Sequence, residues 1–387
     1  MKPTIVRLMS CTSQPFTIKH GAVQTGVVET SRFLQKDFNV YVIHASKSKD
    51  TRTAVDSVIY CGIKLNFIQK LFADYFYLKK AIKLIKSLKA EIVHVHNRPL
   101  YLKLLREFLP KSIKIILHEH NHNLREAISS KEAIKALLAC DKVIEISNFS
   151  YKFDLKDPFP EFASKGIVVH RGINPLAFKP KWTQGKFIEK LRKKYKIPDQ
   201  KIVILYAGAI EQKKGIHLLM AAFKKLLLRH PEAFLLIAGG SSWHTLPLGI
   251  FGKNFLEELS SLGENALYLG FINADDMPHI YLLADIFCAP SLWEEPFGLV
   301  FIEAQASGLP VIASQRGGIP EIILNKKTGL LVKDPENIDS LYRKLRLLLS
   351  SEKLRMKLSR NGYQRVITNF TWEITAQKYQ EIYNNLK

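Results

Sequence analysis

The chain has 387 residues, a length that suits two α/β domains of ordinary size, and its 47% apolar and 24% charged content is that of a folded globular protein, not a disordered one. The four cysteines, Cys11, Cys61, Cys140 and Cys288, are scattered and form no CxxC pair, which argues against a disulfide framework or zinc site and fits reduced thiols in a cytoplasm. The net charge is +22, with Lys and Arg against Asp and Glu standing at 29 to 15 in residues 1–180 and 28 to 20 in 181–387; such an excess favours a polyanion (nucleic acid, acidic lipid or phosphorylated glycan) without choosing among them.

No stretch is apolar for long enough to span a bilayer. The N-terminal MKPTIVRLMSCTS carries Arg7 inside its apolar patch and reads as a first strand at 5–10, not as a signal peptide. Residues 20–34, HGAVQTGVVETSRFL, read as a strand-to-helix connection with Glu29 on the helix. A second strand follows at 39–45. Residues 63–90 then hold seven lysines (64, 70, 79, 80, 83, 86, 89) beside a broad apolar face. They fit either an ordinary helix packed on the first domain or a surface resting on anionic lipid. Strands at 91–97 and 114–120, EIVHVHN and KIILHEH, gather His94, His96, His118 and His120, with His122 just beyond. Alternation sends His118 and His120 to one face and Glu119 to the other. Clustered imidazoles invite a metal, yet no helical HExxH pattern accompanies them, so no obligatory metal or other cofactor is expected. Strands at 142–147 and 166–172 complete the first half, and NPLAFKPKW (174–182), with two prolines and little periodicity, reads as the linker.

The second half repeats the layout, with strands at 202–208, 233–239, 266–271, 285–291, 310–314 and 329–332 and a helical pattern at 217–230. After the strand at 202–208, Gly208 and Gly215 allow tight backbone, and Lys213 or Lys214 can reach a diphosphate; a solvated basic loop would look the same. Asp275-Asp276 precedes a helical pattern and suits capping. The block WEEPFGLVFIEAQASGLPVIASQRGGIPEII, residues 293–323, is the most informative. Pro296 suits a first helical position, so free N–H groups are expected around Phe297, Gly298, Leu299 and Val300, where a phosphate could sit. Glu295 would stand at the helix mouth with Glu303 two turns along, two carboxylates able to accept from the hydroxyls of a nucleotide sugar. A buried helix with an acidic cap fits the same residues. Gly317-Gly318 opens another strand-to-helix turn, and TWEITAQKYQEIYNNLK (371–387) is an amphipathic helix.

The 293–323 block resembles the donor-binding signature of retaining family 4 glycosyltransferases. The resemblance extends over nearly the whole chain, strongly in the second half and loosely in the first. It implies the GT-B fold: α/β, with two Rossmann-like domains, 1–180 and 181–370, facing across a cleft, and the 371–387 helix crossing back onto the first. By position, Glu295 touches the transferred sugar and Glu303 the ribose. Lys214-Gly215 matches the second part of the family's phosphate loop, whereas Ala209 stands where an arginine is usual; Lys213 or Arg316 are candidate substitutes. Gly21 matches the first glycine of the loop lining the diphosphate and Ala22 replaces the second. Close backbone approach to the donor is implied at Gly317-Gly318. His120, with His118 second, matches a histidine facing the donor sugar, and Asn97, Arg98 and His118 are acceptor candidates. Catalysis is thus expected from Glu295, His120 and Lys214, with domain closure excluding water and no side-chain nucleophile.

Within the family the chain resembles bacterial enzymes of the lipopolysaccharide core, such as core N-acetylglucosaminyltransferases. That implies a UDP-linked donor (UDP-GlcNAc or UDP-Glc), a lipid-linked oligosaccharide or other cell-surface glycan as acceptor, and work at the inner face of the cytoplasmic membrane. Two alternatives keep other features of the sequence. One is a GT-B nucleotide-sugar epimerase without a glycan acceptor, against which the glutamate pair argues. The other is a non-catalytic nucleic-acid binder, suggested by charge alone; no nucleic-acid module is recognisable, and no nucleic-acid partner is expected.

Overall fold

A computed structural model describes residues 2–11, 21–47, 49–241 and 248–386. The chain divides into two compact units, one formed by residues 1–172 together with 372–387 and the other by 173–371. The expected boundary at 180 therefore moves to 172. Residues 174–182, read as a linker, are built into the second unit: Lys181 donates its N–H to the Ser307 carbonyl and its ammonium to Asp285, and Ile173 bridges to Thr371.

The sheet of the first unit has the order β3-β4-β2-β1-β5-β6-β7-β8. Its strands are β1 Thr4–Leu8, β2 Asn39–Ser46, β3 Thr51–Val55, β4 Val58–Lys64, β5 Ile92–His96, β6 Lys114–His118, β7 Lys142–Glu145 and β8 Gly166–Val168. All neighbours pair in parallel except β3 and β4. That hairpin is absent from the sequence expectations. β3 is polar and mostly exposed, and the two-residue turn between Val55 and Val58 uses Asp56 and Ser57 at φ 48 and 59, without the glycine that usually signals it. Strand alternation splits the apolar side chains between two cores. Val6, Leu8, Val93, Val95, Ile115 and Leu117 meet the Ala73–Ser87, Pro99–Phe108 and Ser130–Ala139 helices through residues such as Tyr77, Leu102 and Leu137. On the other face Ile5, Val40, Val42, Ile92, Ile116 and Ile144 meet Val27 and Leu34 of the Ala22–Leu34 helix. The same core takes Ala376, Tyr379, Ile382 and Tyr383 of the Trp372–Asn384 helix, so the end of the chain packs within the first unit. Gly26 makes room for it: a Cβ there would lie 3.1 Å from the Trp372 ring.

The second unit has a fully parallel sheet, β11-β10-β9-β12-β13-β14. Its strands are β9 Ile202–Ala207, β10 Ala233–Ala238, β11 Ala266–Tyr268, β12 Ile286–Ala289, β13 Val311–Ser314 and β14 Leu330–Val332. The chain runs outward from β9 to β11, then returns to β12, leaving the carboxyl ends of β9 and β12 side by side at a switch point where parallel sheets bind ligands.

Candidate active site

The segments after β9 and β12 are locked together by backbone that only glycine permits. Gly215 lies at φ 69, and a Cβ there would meet the Pro290 carbonyl oxygen at 1.9 Å. The Lys213 carbonyl accepts from the N–H groups of Leu292 and Trp293 at 2.9 and 3.1 Å. Lys214 is thereby carried against the loop after β12, where its ammonium reaches Glu295 Oε1 at 2.5 Å and lies 4.5 Å from the Trp293 ring centroid. Ser291 also donates to Glu295 Oε1, at 3.1 Å. A cavity of about 180 Å³ opens at this point, lined among others by Gly208, Ala209, Lys214, Glu295, Gly298, Leu299 and Val300.

Pro296 does not begin a helix. The chain turns through Gly298 at φ 101, where a Cβ would strike the Phe301 ring at 2.6 Å, and the helix runs Leu299–Ala306. The Phe301 N–H donates to the Gly298 carbonyl at 3.2 Å, and the helix start opens on the cavity that Gly298, Leu299 and Val300 line, where a first-turn N–H can meet an anion. Glu295 is thus a loop residue ahead of the helix, and Glu303 sits one turn inside it. Buried Tyr281, whose phenol is pushed up by burial and by Glu303 and so stays protonated, donates to Glu303 Oε2 at 2.8 Å. Phe297, expected at the donor, is buried against Phe370. The close approach expected at Gly317 is to protein: a Cβ would meet the Glu295 carbonyl oxygen at 2.2 Å, and the Gly317 N–H bonds Glu294 Oε2 at 2.5 Å. Arg316 pairs with Glu294 at 3.3 Å and half-exposed Lys213 with Glu211 at 3.2 Å.

In the first unit the histidines form a block. His94 Nε2 meets His118 Nδ1 at 3.1 Å and His96 Nδ1 meets His120 Nε2 at 3.0 Å across β5 and the end of β6. The rings stack along each strand, His94 on His96 at 4.3 Å and His118 on His120 at 3.9 Å. His94 Nδ1 also meets the Tyr383 hydroxyl at 2.6 Å. Burial holds all four well below the usual imidazole range, with nearby Arg7 pressing the same way, so they are neutral. Nitrogens of His94, His96 and His118 come within 4.8 Å of one another, a spacing that could hold a metal ion. Each of these rings, however, already spends a nitrogen on a neighbour, and a buried cation would face Arg7. His118 is fully buried on the face covered by Tyr379, which removes it from the acceptor role expected of it. Asn97, at φ 58, uses its side-chain oxygen to accept from the His120 and Asn123 N–H groups at 2.8 and 2.9 Å, so it shapes the turn holding His120. Arg98 Nε donates to Ser10 Oγ at 2.8 Å. Gly21 precedes the Ala22–Leu34 helix and gives its N–H to Gln24, while the Ala22 carbonyl accepts from Arg171. His20, the first residue of the expected loop, lies outside the described residues.

Sequence reasoning missed a second buried polar group one strand over. Glu119 and Glu145 stand on the opposite face from the histidines, near Asp154, which pairs with His122 at 2.7 Å. Burial, reinforced by Asp154, pushes Glu119 up to about 8, and Glu145 well above its ordinary range. The alternation of Ile144 and Glu145 along β7 is the signal that could have found it.

Among the described residues no helix is long and apolar enough to cross a membrane. The family described as Glycosyltransferase Family 4 matches residues 23–175, and the one described as Glycosyl transferases group 1 matches 187–365. YtcC of Bacillus subtilis (strain 168), named as a glycosyltransferase, is 31% identical over 95% of this chain and 89% of its own. A lipopolysaccharide 1,2-N-acetylglucosaminetransferase of Salmonella typhimurium is 28% identical over 76% of this chain and 72% of its own. The crystal structure of HepE from Anabaena in complex with UDP and glucose superposes with a TM-score of 0.77 over 98% of this chain and 99% of that one, at 16% identity. Two α/β units of the GT-B kind, the two family matches and a glycosyltransferase relative 31% identical over 95% of the chain make this chain a member of glycosyltransferase family 4.

Proposed function

We propose that the enzyme is a retaining transferase that takes a sugar from a UDP-linked donor, UDP-GlcNAc or UDP-Glc, and places it on a lipopolysaccharide core or another cell-surface glycan. The observation that carries this reading is the meeting of Lys214, Glu295 and the start of the Leu299–Ala306 helix around one cavity. A diphosphate there would take the Lys214 ammonium and the leading N–H groups, which stabilise leaving-group charge. Glu295, released from Lys214, would turn to the sugar, and Glu303, steadied by Tyr281, would take the ribose. The reading assigns His120 and the Gly21-Ala22 turn to the donor as well, and no metal to the reaction. The UDP of the HepE complex and the acetylglucosamine transfer named for the Salmonella relative support the choice of donor.

The acceptor would be met at a membrane surface. Phe67 and Phe72 are 83% and 68% exposed beside exposed Lys64, Lys70, Lys79, Lys83 and Lys86, which suits anionic lipid. Charge reversal at Lys79, Lys83 and Lys86 is expected to weaken binding to anionic vesicles; unchanged binding removes the membrane contact. The reaction itself is tested by incubating the protein with UDP-sugars and bacterial core oligosaccharides and reading the product by NMR. A new α-linked glycan from an α-linked donor is expected, and an inverted linkage or a free epimer would overturn the assignment.

A further inference from the structure

A polar cluster at the carboxyl ends of β1 and β5 belongs to no role assigned so far. Asp74, exposed in the first turn of the Ala73–Ser87 helix, accepts from the Tyr101 hydroxyl at 2.5 Å and the Cys11 thiol at 2.9 Å. The Cys11 N–H donates in turn to the Tyr101 oxygen at 3.1 Å. Burial and the Asp74 contact push the Cys11 thiol up to about 11, so it remains a donor, and Tyr101 is 1% exposed and fixed in the core. Arg98, held by Ser10, is near enough to Cys11 to oppose that upward shift.

Both protein donors land on Asp74 Oδ1. Among the described residues none reaches Oδ2, and the carboxylate stands at the surface. A side chain locked by two donors with one oxygen left outward is preorganised to accept a hydrogen bond from a ligand. Two features say which ligand. Asp74 follows Phe72 by two residues and precedes Tyr75 at the start of its helix, these being 68% and 52% exposed, and Leu100, 53% exposed, stands at the start of the helix that carries Tyr101. Exposed apolar residues around a fixed hydrogen-bond acceptor suit an amphiphile whose polar part donates through hydroxyls.

We propose that Asp74 binds the sugar headgroup of the acceptor, with Oδ2 accepting from a ring hydroxyl while the acceptor's lipid rests on Phe72 and Phe67. This deepens the glycosyltransferase reading and rests on it. The test titrates the full chain and Asp74→Asn with octyl β-glucoside, β-galactoside and β-N-acetylglucosaminide below their micelle concentrations, by saturation-transfer NMR, and titrates both proteins with UDP. At least one glycoside should bind the wild type and bind Asp74→Asn about tenfold or more weakly, the loss of one hydrogen bond to a charged group, with UDP affinity unchanged. Tyr101→Phe, which frees the carboxylate to rotate, should weaken the same glycoside by a smaller factor. Failure of every glycoside to bind the wild type, or equal binding by Asp74→Asn, overturns the proposal. Loss of UDP binding in the wild type would instead sink the donor reading and leave the Asp74 result to stand by itself.

Discussion

Gly298 shows how much of the donor site depends on one backbone position. At φ 101 the chain swings the Leu299–Ala306 helix so that its first turn opens on the cavity, and the Phe301 ring occupies the volume a side chain would need. Gly298→Ala is therefore expected to cost about 1–3 kcal/mol, read as a lower urea midpoint, and to weaken UDP binding; a variant of wild-type stability would show that the turn relaxes freely. Glu303→Ala tests a different property. It leaves the buried Tyr281 hydroxyl with only the Val300 carbonyl at 3.5 Å in place of a short bond to a carboxylate, so a loss of about 1–3 kcal/mol should accompany weaker donor binding. Stability lost with donor affinity intact would make Glu303 structural only. The residue types at Lys214, Glu295, Gly298 and Glu303 were all legible in the sequence because they lie within short motifs. Their geometry was less so. Pro296 has the chemistry of a helix start, but Gly298 takes the turn, which no periodicity reveals.

At the scale of elements, every strand expected from short apolar runs is present, because parallel strands buried on both faces write their burial directly into composition. The β3–β4 hairpin escaped because β3 has an exposed, polar edge and its turn lacks the usual glycine. The histidines were legible as a cluster, but the pairing of their rings was not. Their bonds cross from β5 to β6, and only register, here His94 opposite Ile116 and His96 opposite His118, says which rings meet. The Asp74 cluster likewise joins residues 27 to 90 positions apart. The Trp372–Asn384 helix ties into this block through Tyr383. Tyr383→Phe should remove the bond to His94 and lower stability by about 1 kcal/mol, measured by urea unfolding, and unchanged stability would mean that the hydroxyl contributes nothing there.

For the whole molecule, two buried sets of titratable groups set opposite limits on pH. The four histidines have folded-state values below their unfolded ones, so the unfolded chain takes up protons first and stability is lost as pH falls below about 6.5. Glu119 is the reverse. Its folded value of about 8 lies above the ordinary carboxylate value, so stability falls as pH rises from about 4.5 through 8 and levels off beyond. Over 4.5–6.5 the two trends oppose, and above 6.5 only the carboxylate trend remains. Urea midpoints are expected to peak near pH 6–7, and Glu119→Gln should raise the alkaline limb; a midpoint that keeps climbing to pH 9 would contradict the burial of this acid. The central claim, that Lys214 and the Leu299–Ala306 helix hold the diphosphate of a nucleotide sugar, is tested most directly by calorimetric titration of UDP into the wild type and Lys214→Ala. UDP should bind the wild type and bind the variant about tenfold or more weakly, as removal of one charge-assisted bond implies. Equal affinities, or no binding of UDP to the wild type, would contradict it.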